Sequence, residues 1–357
     1  MKKLLFFIPS LTRGGAERVM SNLANQFSRA GYDITFVLQE KVDDEYDTFP
    51  EVKKLYLPSD SDKSKSINRI EQLKNIRKAI IKTNPDVALS FLDKANQKFL
   101  IATIGLKIKK YCSVRSTFEV ECSSWKKELI VRLLFPKADG IILQTQEIER
   151  QFKDEGINIK SFVIPNQVAE EFFNKDFQGQ RKNIVSVGRL ESPKNHKLLI
   201  EAFAKIADRT KENLLIYGNG TLENELKSLI SKLNLQDRIF LKGVTNDVPS
   251  SIIGSKLFVM SSDFEGSPNA LLEAIALGIP SISTDCPCGG PKEIIEDGKN
   301  GFLVPVGNAD ALAQKMLYIL SMTDNEIYSI SECAKKSAEK YRPEIVFKKW
   351  KSVLLKD

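Results

Sequence analysis

Short apolar runs alternate with longer amphipathic stretches along most of this 357-residue chain. Apolar runs bounded by polar or glycine turns are typical of buried strands, and amphipathic stretches at helical spacing are typical of the helices that connect them. The strand-like runs are residues 3–8, 33–38, 85–92, 111–116, 138–145, 162–166, 183–190, 213–220, 238–243 and 256–260. The clearest helical stretches are residues 70–82, 96–110, 124–136 and 344–355. This alternation predicts an α/β fold with parallel sheets.

The strands and helices fall into two blocks, and the chain is long enough for two domains with separate cores. Between residues 166 and 180 the composition becomes polar and irregular, which is typical of a linker. We therefore predict two Rossmann-like domains, residues 1–168 and residues 169–341, with the active site between them.

Two segments are interpreted as irregular structure. Residues 41–66 are polar and include Asp60-Ser61-Asp62, which matches a metal-binding Asp-x-Asp motif only superficially. That motif should follow a hydrophobic strand, whereas this copy follows Pro58, so we interpret it as a solvated loop. Residues 298–304 are interpreted as a hairpin-like return.

The stretch around residues 261–278 carries the most informative chemistry. It follows a strand, turns at Gly266-Ser267-Pro268 and continues as a helix that ends at Gly278. The backbone N–H groups at such a helix start suit a phosphate. Glu265 and Glu273 can accept hydrogen bonds from sugar hydroxyls. The alternative is an ordinary amphipathic helix with one exposed glutamate and one glutamate at its N-terminus.

Two other strand-to-helix turns carry candidate ligand contacts. At the first, Gly14 and Gly15 allow a backbone to approach a ligand closely, although the turn is not a Gly-x-Gly-x-x-Gly fingerprint. At the second, Arg189 and Lys194 place two cations where a strand ends, and these can neutralise a diphosphate. The alternative for the pair is ordinary surface charge. His196, the only histidine, is interpreted as a capping or surface residue.

The Glu-x7-Glu spacing of Glu265 and Glu273, with Gly-Ser-Pro-Asn inside and Ala-Leu-Gly-Ile-Pro after it, resembles the donor-binding motif of the family 4, GT-B glycosyltransferases. The resemblance covers essentially the whole chain and is strongest over residues 183–305. It implies two Rossmann-like domains facing a cleft, with the C-terminal helix, residues 342–357, returning to the first domain. The relatives assemble bacterial surface polysaccharides, such as lipopolysaccharide or capsule, and lipid-linked glycans.

The resemblance also implies a retaining, metal-independent reaction. The donor would be a nucleotide-sugar, UDP-linked rather than GDP-linked, and the acceptor a glycan or a polyprenyl-diphosphate-linked glycan, without a further cofactor. The implied catalytic residues are Arg189, Lys194 and Glu265. The implied donor-binding residues are Gly14, Gly15, Gly218, Gly266, Ser267, Asn269, Ala270, Leu271 and Glu273.

One position departs from the family pattern. Many relatives place a histidine where the strand at 111–116 ends, whereas this chain has Arg115. A histidine general base is therefore not expected there. The hypothesis is instead that an oxygen of the donor phosphate takes the acceptor proton on the same face of the sugar.

The distribution of charge indicates the kind of partner that the protein binds. Residues 1–168 contain 28 basic and 21 acidic residues, so this half carries the whole net charge of +7. Such an excess indicates either an anionic partner, membrane lipid or nucleic acid, or simply general solubility. With the family resemblance we expect an anionic membrane surface as partner and no nucleic acid.

Hydropathy and cysteine content indicate the location of the protein. No apolar run approaches the roughly 20 residues of a membrane span, and the five scattered cysteines suggest reduced thiols. We expect a cytoplasmic protein, peripheral on the inner face of the membrane.

The helix predicted over residues 124–136 has two interpretations. Trp125, Leu129 and Leu133 recur at helical spacing beside basic residues such as Arg132. Such a helix can lie on an anionic bilayer, but it can equally pack its apolar face into the first domain. Two other functions also stay open, a non-catalytic nucleotide-sugar-binding protein and, with less support, a nicotinamide-dependent oxidoreductase.

Overall fold

The computed structural model of the chain describes residues 1–12, 14–58 and 68–356. The chain forms two compact units, one comprising residues 1–165 and the segment from Val346 onward, the other residues 166–345. The Asp60-Ser61-Asp62 segment lies outside the described residues. In the described part of the chain, no helix is both long and apolar enough to cross a membrane.

The first unit is built on a seven-stranded parallel sheet in the order β3-β2-β1-β4-β5-β6-β7. Its strands are Lys3–Ile8 (β1), Asp33–Leu38 (β2), Lys53–Tyr56 (β3), Val87–Phe91 (β4), Lys109–Ser113 (β5), Gly140–Leu143 (β6) and Ser161–Val163 (β7). Its helices are Gly15–Arg29 (α1), Arg69–Thr83 (α2), Asp93–Ala102 (α3), Phe118–Glu121 (α4), Trp125–Leu134 (α5) and Gln146–Asp154 (α6), with a 3₁₀ turn at Phe135–Lys137.

The second unit has a six-stranded parallel sheet in the order β10-β9-β8-β11-β12-β13. Its strands are Lys182–Val187 (β8), Leu214–Tyr217 (β9), Ile239–Gly243 (β10), Ser255–Met260 (β11), Ser281–Thr284 (β12) and Phe302–Val304 (β13). The helices are His196–Ala204 (α7), Glu223–Lys232 (α8), Val248–Ile252 (α9), Asn269–Ala276 (α10), Gly290–Ile294 (α11), Ala309–Leu320 (α12) and Asp324–Ala338 (α13). The C-terminal helix Pro343–Leu354 (α14) begins in this unit and belongs from Val346 onward to the first. Short 3₁₀ turns cover Glu170–Phe172, Ser192–Lys194, Ala207–Arg209 and Glu339–Tyr341.

Continuous apolar strands explain why both faces of each sheet are covered by helices. Every residue of β4 is buried, as are five of the six residues in β1. Strands of this kind need helices on both sides, which the β-α-β connections supply. In the first unit, the C-terminal helix α14 completes the core, because the Trp350 ring stacks on Phe91 with 5.9 Å between ring centroids. The prediction of two parallel α/β sheets is confirmed.

Two local predictions about the strands are wrong. The return over residues 298–304 is not a hairpin, because β13 pairs parallel to β12 with Ser283 opposite Leu303. The segment over residues 41–66 is not wholly irregular, since β3 pairs parallel to β2 with Val37 opposite Leu55. This edge strand is short and carries two lysines, so its pattern resembles that of a loop.

The strand orders determine where ligands can approach each sheet. In open parallel sheets the order reverses at a switch point, and a crevice forms there beyond the carboxyl ends of two adjacent strands. In the first unit this point lies between β1 and β4, and in the second between β8 and β11. The candidate residues Arg189 and Lys194 follow β8, whereas Glu265 follows β11.

Candidate active site

The loops that follow β8 and β11 are joined by hydrogen bonds. The backbone N–H of Asp263 donates to the Pro193 carbonyl over 2.9 Å, and Asn195 Nδ2 donates to Asp263 Oδ1 over 2.8 Å. The hydroxyl of Ser261 donates to the carbonyls of Lys194 and Asn195 over 3.1 and 2.9 Å. The turn that carries Lys194 is therefore fixed against the loop that carries Glu265.

This junction brings two predicted catalytic residues into contact. The Lys194 ammonium forms an ion pair with Glu265 Oε1, and Ser262 Oγ donates to the same oxygen over 2.9 Å. Both charged side chains are largely buried. A cation and an acid held together at the carboxyl edge of a sheet can present a positive charge to phosphate and hydrogen-bond acceptors to hydroxyls.

The Glu265 loop is also supported from the segment after β12. The backbone N–H of Glu265 donates to Cys288 Sγ over 3.3 Å, and Thr284 Oγ1 donates to the Ser262 carbonyl over 2.5 Å. Gly290 packs so tightly that an added Cβ would lie 1.8 Å from the carbonyl oxygen of Gly266. The sequence analysis did not assign Cys288 or Gly290 to the site, because their contacts are set by tertiary packing.

The start of α10 is held by a residue that the sequence analysis missed. Asn166 Nδ2 donates to the Ser267 carbonyl over 2.8 Å and to Asn269 Oδ1 over 2.9 Å. The backbone N–H of Asn166 also donates to Ser267 Oγ over 3.3 Å. Asn166 was interpreted as the residue that closes the first domain, just before the linker. About one hundred residues separate it from Ser267, so no local pattern could have indicated its role.

Glu273 lies one turn inside α10 and is only 5% exposed. All residues of this helix from Leu271 to Ala276 are buried. The alternative of an ordinary amphipathic helix with an exposed glutamate at this position is therefore wrong. A buried carboxylate is unfavourable without hydrogen-bonding or charged partners. The burial of Glu273 is therefore consistent with a role in binding polar groups.

Backbone packing fixes the turn after β9 against the turn after β8. Gly218 has a φ of +140°, and a Cβ there would lie 2.0 Å from the Gly188 carbonyl oxygen. A Cβ at Gly220 would lie 2.4 Å from the Leu190 carbonyl oxygen. Only glycine fits at these two positions, so the predicted donor-binding residue Gly218 supports the turn that carries Arg189.

The remaining candidates of the β8 turn differ in exposure. Arg189 is exposed, as an anion-binding side chain should be. His196 is 4% exposed and is the first residue of α7, whereas the side chain of Asn195 caps this helix through the Leu198 N–H. The interpretation of His196 as a capping or surface residue is wrong on both points.

Gly14 and Gly15 lie in the first unit, at the N-terminal end of α1. A Cβ at Gly14 would clash with the carboxylate of Glu17. At the end of β5, the Arg115 guanidinium lies 4.2 Å from the Phe91 ring centroid and 5.8 Å from that of Trp350. Burial lowers the pKa of Arg115 to about 9, and the side chain links β5 to the C-terminal helix.

A second acidic pair lies in the first unit, beyond β4 and β5. Glu121 is fully buried and accepts a hydrogen bond from Ser116 Oγ. Burial and the neighbouring charge of Asp93 raise the pKa of Glu121, so its carboxyl group tends to stay protonated. Asp93 is held by Gln97 Nε2 at 2.5 Å and by Lys127 Nζ at 3.7 Å. Within the described ranges, no three His, Cys, Asp or Glu side chains are grouped as a metal site would require.

Comparison with known proteins identifies the family. The model described as "Glycosyltransferase Family 4" matches residues 13–172, and "Glycosyl transferases group 1" matches residues 167–337. The N-acetylgalactosamine-N,N'-diacetylbacillosaminyl-diphospho-undecaprenol 4-alpha-N-acetylgalactosaminyltransferase of Campylobacter jejuni is 30% identical over 90% of this chain and 90% of its own length. The chain belongs to the family 4 glycosyltransferases.

Other comparisons agree with this assignment. An uncharacterized glycosyltransferase of Haemophilus influenzae is 28% identical over 99% of this chain and 100% of its own length. Sucrose-phosphate synthase from Thermosynechococcus elongatus has a TM-score of 0.85 at 15% identity, over 99% of this chain and 98% of its own. Anabaena HepE, solved with UDP and glucose, has a TM-score of 0.83 at 18% identity, over 99% of this chain and 100% of its own. The fold is GT-B, as the resemblance implied, and the protein is a glycosyltransferase.

Proposed function

We propose that this family 4 glycosyltransferase transfers a sugar from a UDP-sugar to a hydroxyl of a glycan or polyprenyl-diphosphate-linked acceptor. In this reaction the anomeric configuration is retained, and protein cations rather than a metal neutralise the leaving diphosphate. The observation that carries the proposal is the Lys194–Glu265 ion pair, which the junction of the β8 and β11 loops holds at the segment leading into α10.

Each side chain of this cluster has a distinct role in the proposal. Arg189 and Lys194 stabilise the negative charge that develops on the diphosphate as the glycosidic bond breaks. Glu265 accepts hydrogen bonds from hydroxyls of the transferred sugar, and Glu273 accepts them from the ribose. The backbone N–H groups at the start of α10 contribute to phosphate binding.

The acceptor hydroxyl loses its proton to an oxygen of the donor diphosphate. The nucleophile then attacks from the face that the diphosphate leaves, and the product keeps the configuration of the donor. The residue at position 115 supports proton transfer to the donor diphosphate. Many relatives have a histidine at this position, whereas here Arg115 stacks on the Phe91 ring. A guanidinium is a poor proton acceptor at neutral pH.

The comparisons support the substrate classes. The Campylobacter jejuni relative is named for a diphospho-undecaprenol acceptor, and an amylovoran biosynthesis glycosyltransferase of Erwinia amylovora is 23% identical over 99% of this chain. UDP is the nucleotide in the solved complexes of HepE. These names favour a UDP-sugar and a lipid-linked or polysaccharide acceptor for this chain.

The exposed face of α5 supports an additional proposal, that the enzyme works on an anionic membrane. Trp125 is 71%, Leu129 47% and Leu133 59% exposed, whereas Val131 is the buried residue of this helix. The core-packing interpretation of these three side chains is therefore wrong. Apolar residues along one exposed stripe of a helix with basic neighbours are typical of interfacial binding.

Positive charge accumulates near α5, on α3 and at the start of α2. Helix α3 contacts α5, and the pKa of Lys98 on α3 is lowered by burial and by the charges of Lys94 and Arg69. Three cations that repel one another are stabilised by an anionic surface. We propose that this surface binds the inner face of the membrane, where a polyprenyl-linked acceptor would be reached.

The proposed reaction is tested by incubating the enzyme with a panel of UDP- and GDP-sugars and measuring nucleotide release, with and without polyprenyl-diphosphate-linked glycans. We expect release from one UDP-sugar, stimulation by an acceptor, no loss with EDTA, and a product whose anomeric configuration by NMR equals that of the donor. Binding without turnover of any donor would instead support a non-catalytic sensor. An inverted product would overturn the mechanism.

A further inference from the structure

His196 is a buried titratable residue beneath the Gly188–Arg189 turn that the proposed mechanism does not use. An added Cβ at Gly188 would lie 3.6 Å from His196 Nε2 and 3.5 Å from Lys194 Cδ. The imidazole therefore borders both the turn that carries Arg189 and the aliphatic part of Lys194. The ring therefore lies close to the turn that carries the two cations assigned to the donor diphosphate.

The ring nitrogens of His196 do not complete a hydrogen bond. Within the described part of the chain, neither Nδ1 nor Nε2 has a partner at good geometry, although the backbone of Gly188 and Arg189 approaches the ring. Burial, and then the charge of Lys194, lower the pKa of His196 to about 4. At neutral pH the imidazole is uncharged, with one N–H donor and one acceptor nitrogen.

An unused donor and acceptor in a buried site call for an explanation, because burial without partners is unfavourable. An apolar side chain would fill the same space without this cost. The backbone of Gly188 and Arg189 supplies polar groups close to the ring. The exposed Arg189 is the residue on this turn that a diphosphate would attract.

We propose that His196 is a positioning residue of the donor site, whose neutral ring gains a hydrogen bond with the Gly188–Arg189 turn when the donor diphosphate binds. The bond fixes the turn in the position from which Arg189 and Lys194 reach the phosphates. The ring does not contact the substrate, because both nitrogens are covered by protein. This inference rests on the proposed function of the site.

The single histidine makes a direct test possible, because its imidazole gives the only histidine side-chain signals in the NMR spectrum. Spectra of the full-length ¹⁵N-labelled protein are recorded at neutral pH without ligand and with saturating UDP or GDP. We expect saturation with UDP to shift the Nδ1 and Nε2 resonances and to leave one tautomer. Unchanged imidazole resonances in a protein that binds UDP would overturn the inference.

Three variants separate hydrogen bonding from packing. His196→Leu keeps bulk but removes both nitrogens, whereas His196→Gln and His196→Asn supply an amide near the positions of Nε2 and Nδ1. We expect the leucine variant, folded at neutral pH by circular dichroism, to bind UDP about tenfold more weakly, equivalent to about 1.4 kcal/mol. One of the two amide variants should recover most of this loss.

The outcomes distinguish this inference from the proposed function. If wild-type protein binds neither UDP nor GDP, both fail. If it binds UDP in an Arg189-dependent manner but His196→Leu binds equally well, only the role of His196 is overturned. If the leucine variant binds weakly and neither amide restores binding, the ring acts through its volume alone, and the hydrogen-bond proposal is wrong.

Discussion

The Lys194 ammonium and the Glu265 carboxylate form an ion pair, although one is assigned to the donor phosphates and the other to the transferred sugar. Each charge therefore holds the other in place before substrate arrives. Because both side chains are largely buried, loss of one leaves the other with an uncompensated charge. The two residues should behave as a unit rather than as independent contributors.

This coupling can be measured with a double-mutant cycle. We expect Lys194→Met and Glu265→Gln each to lower kcat on the order of 100-fold or more, since each removes a charge or hydrogen bond used in the transition state. The double variant should be little worse than the poorer single variant. Losses in kcat that simply multiply would show that the pair does not act as a unit.

The variant Gly290→Ala should impair use of the donor, although Gly290 is not itself predicted to contact the donor. The added methyl group would meet the Gly266 carbonyl oxygen at 1.8 Å, so the Glu265 loop must move. We expect kcat/KM for the donor to fall at least about tenfold, because displacement of a positioned group by about 1 Å is costly.

Gly298→Ala is the matched control for this change. Unlike Gly290, Gly298 has a positive φ of +76°, but an added Cβ there meets no atom within 4 Å. It should cost about 1–2 kcal/mol of stability through backbone strain and leave the donor KM unchanged. Equal kinetic losses in both alanine variants would contradict the packing argument.

The buried His196 predicts how stability depends on acid pH. Its pKa is lowered in the folded protein, so the unfolded chain binds the proton more readily, and stability is lost as pH falls from about 6.5 to about 4. Relative to His196→Gln, the wild-type free energy of unfolding should fall by about 3 kcal/mol over this range. Urea denaturation at a series of pH values measures the difference, and parallel curves for the two proteins would show that His196 is not held neutral by burial.

The buried Glu121 predicts that the stability of the protein changes with pH in the opposite direction. Its pKa is raised in the folded protein by burial and by Asp93, so the folded state holds the proton and stability is lost as pH rises above the ordinary glutamate value. Glu121→Gln keeps a neutral side chain, and it should become progressively more stable than wild type between pH 5 and pH 8. Asp93→Asn should reduce the dependence on pH, and its failure to do so would exclude coupling of the two acids.

The exposed stripe on α5 predicts membrane binding. Wild-type protein should co-sediment with vesicles that contain phosphatidylglycerol, and less so in high salt, because both apolar and charge contacts contribute. Replacement of Trp125, Leu129 and Leu133 by serine should weaken binding about tenfold or more. Serine at the exposed Phe240 and Tyr328 of the second unit is the control, and equal effects of both sets would contradict a specific role for α5.

The sequence predicts those features that depend on local pattern. The strand before Arg189 and the helix after Pro268 follow from apolar runs and glycine turns, and the structure has β8 and α10 there. The motif Glu-x7-Glu was sufficient to recognise the family, which the comparisons confirm. The charged edge strand β3 was missed because two of its four residues are lysines.

Contacts between distant segments could not be predicted in this way. Asn166 and Cys288 are brought to the site by packing of loops, as is the glycine pair Gly266 and Gly290. The environment of His196 was misjudged for a related reason, because a polar residue at a helix start is usually exposed. Its burial comes from tertiary contacts with the turn after β8, which a single sequence does not reveal.

A crystal structure of the protein with a bound UDP-sugar would show whether the proposed side chains bind the donor. We expect the diphosphate within hydrogen-bond distance of Arg189 and Lys194, the ribose on Glu273 and the sugar hydroxyls on Glu265. A nucleotide bound out of reach of these four side chains would overturn the proposed function.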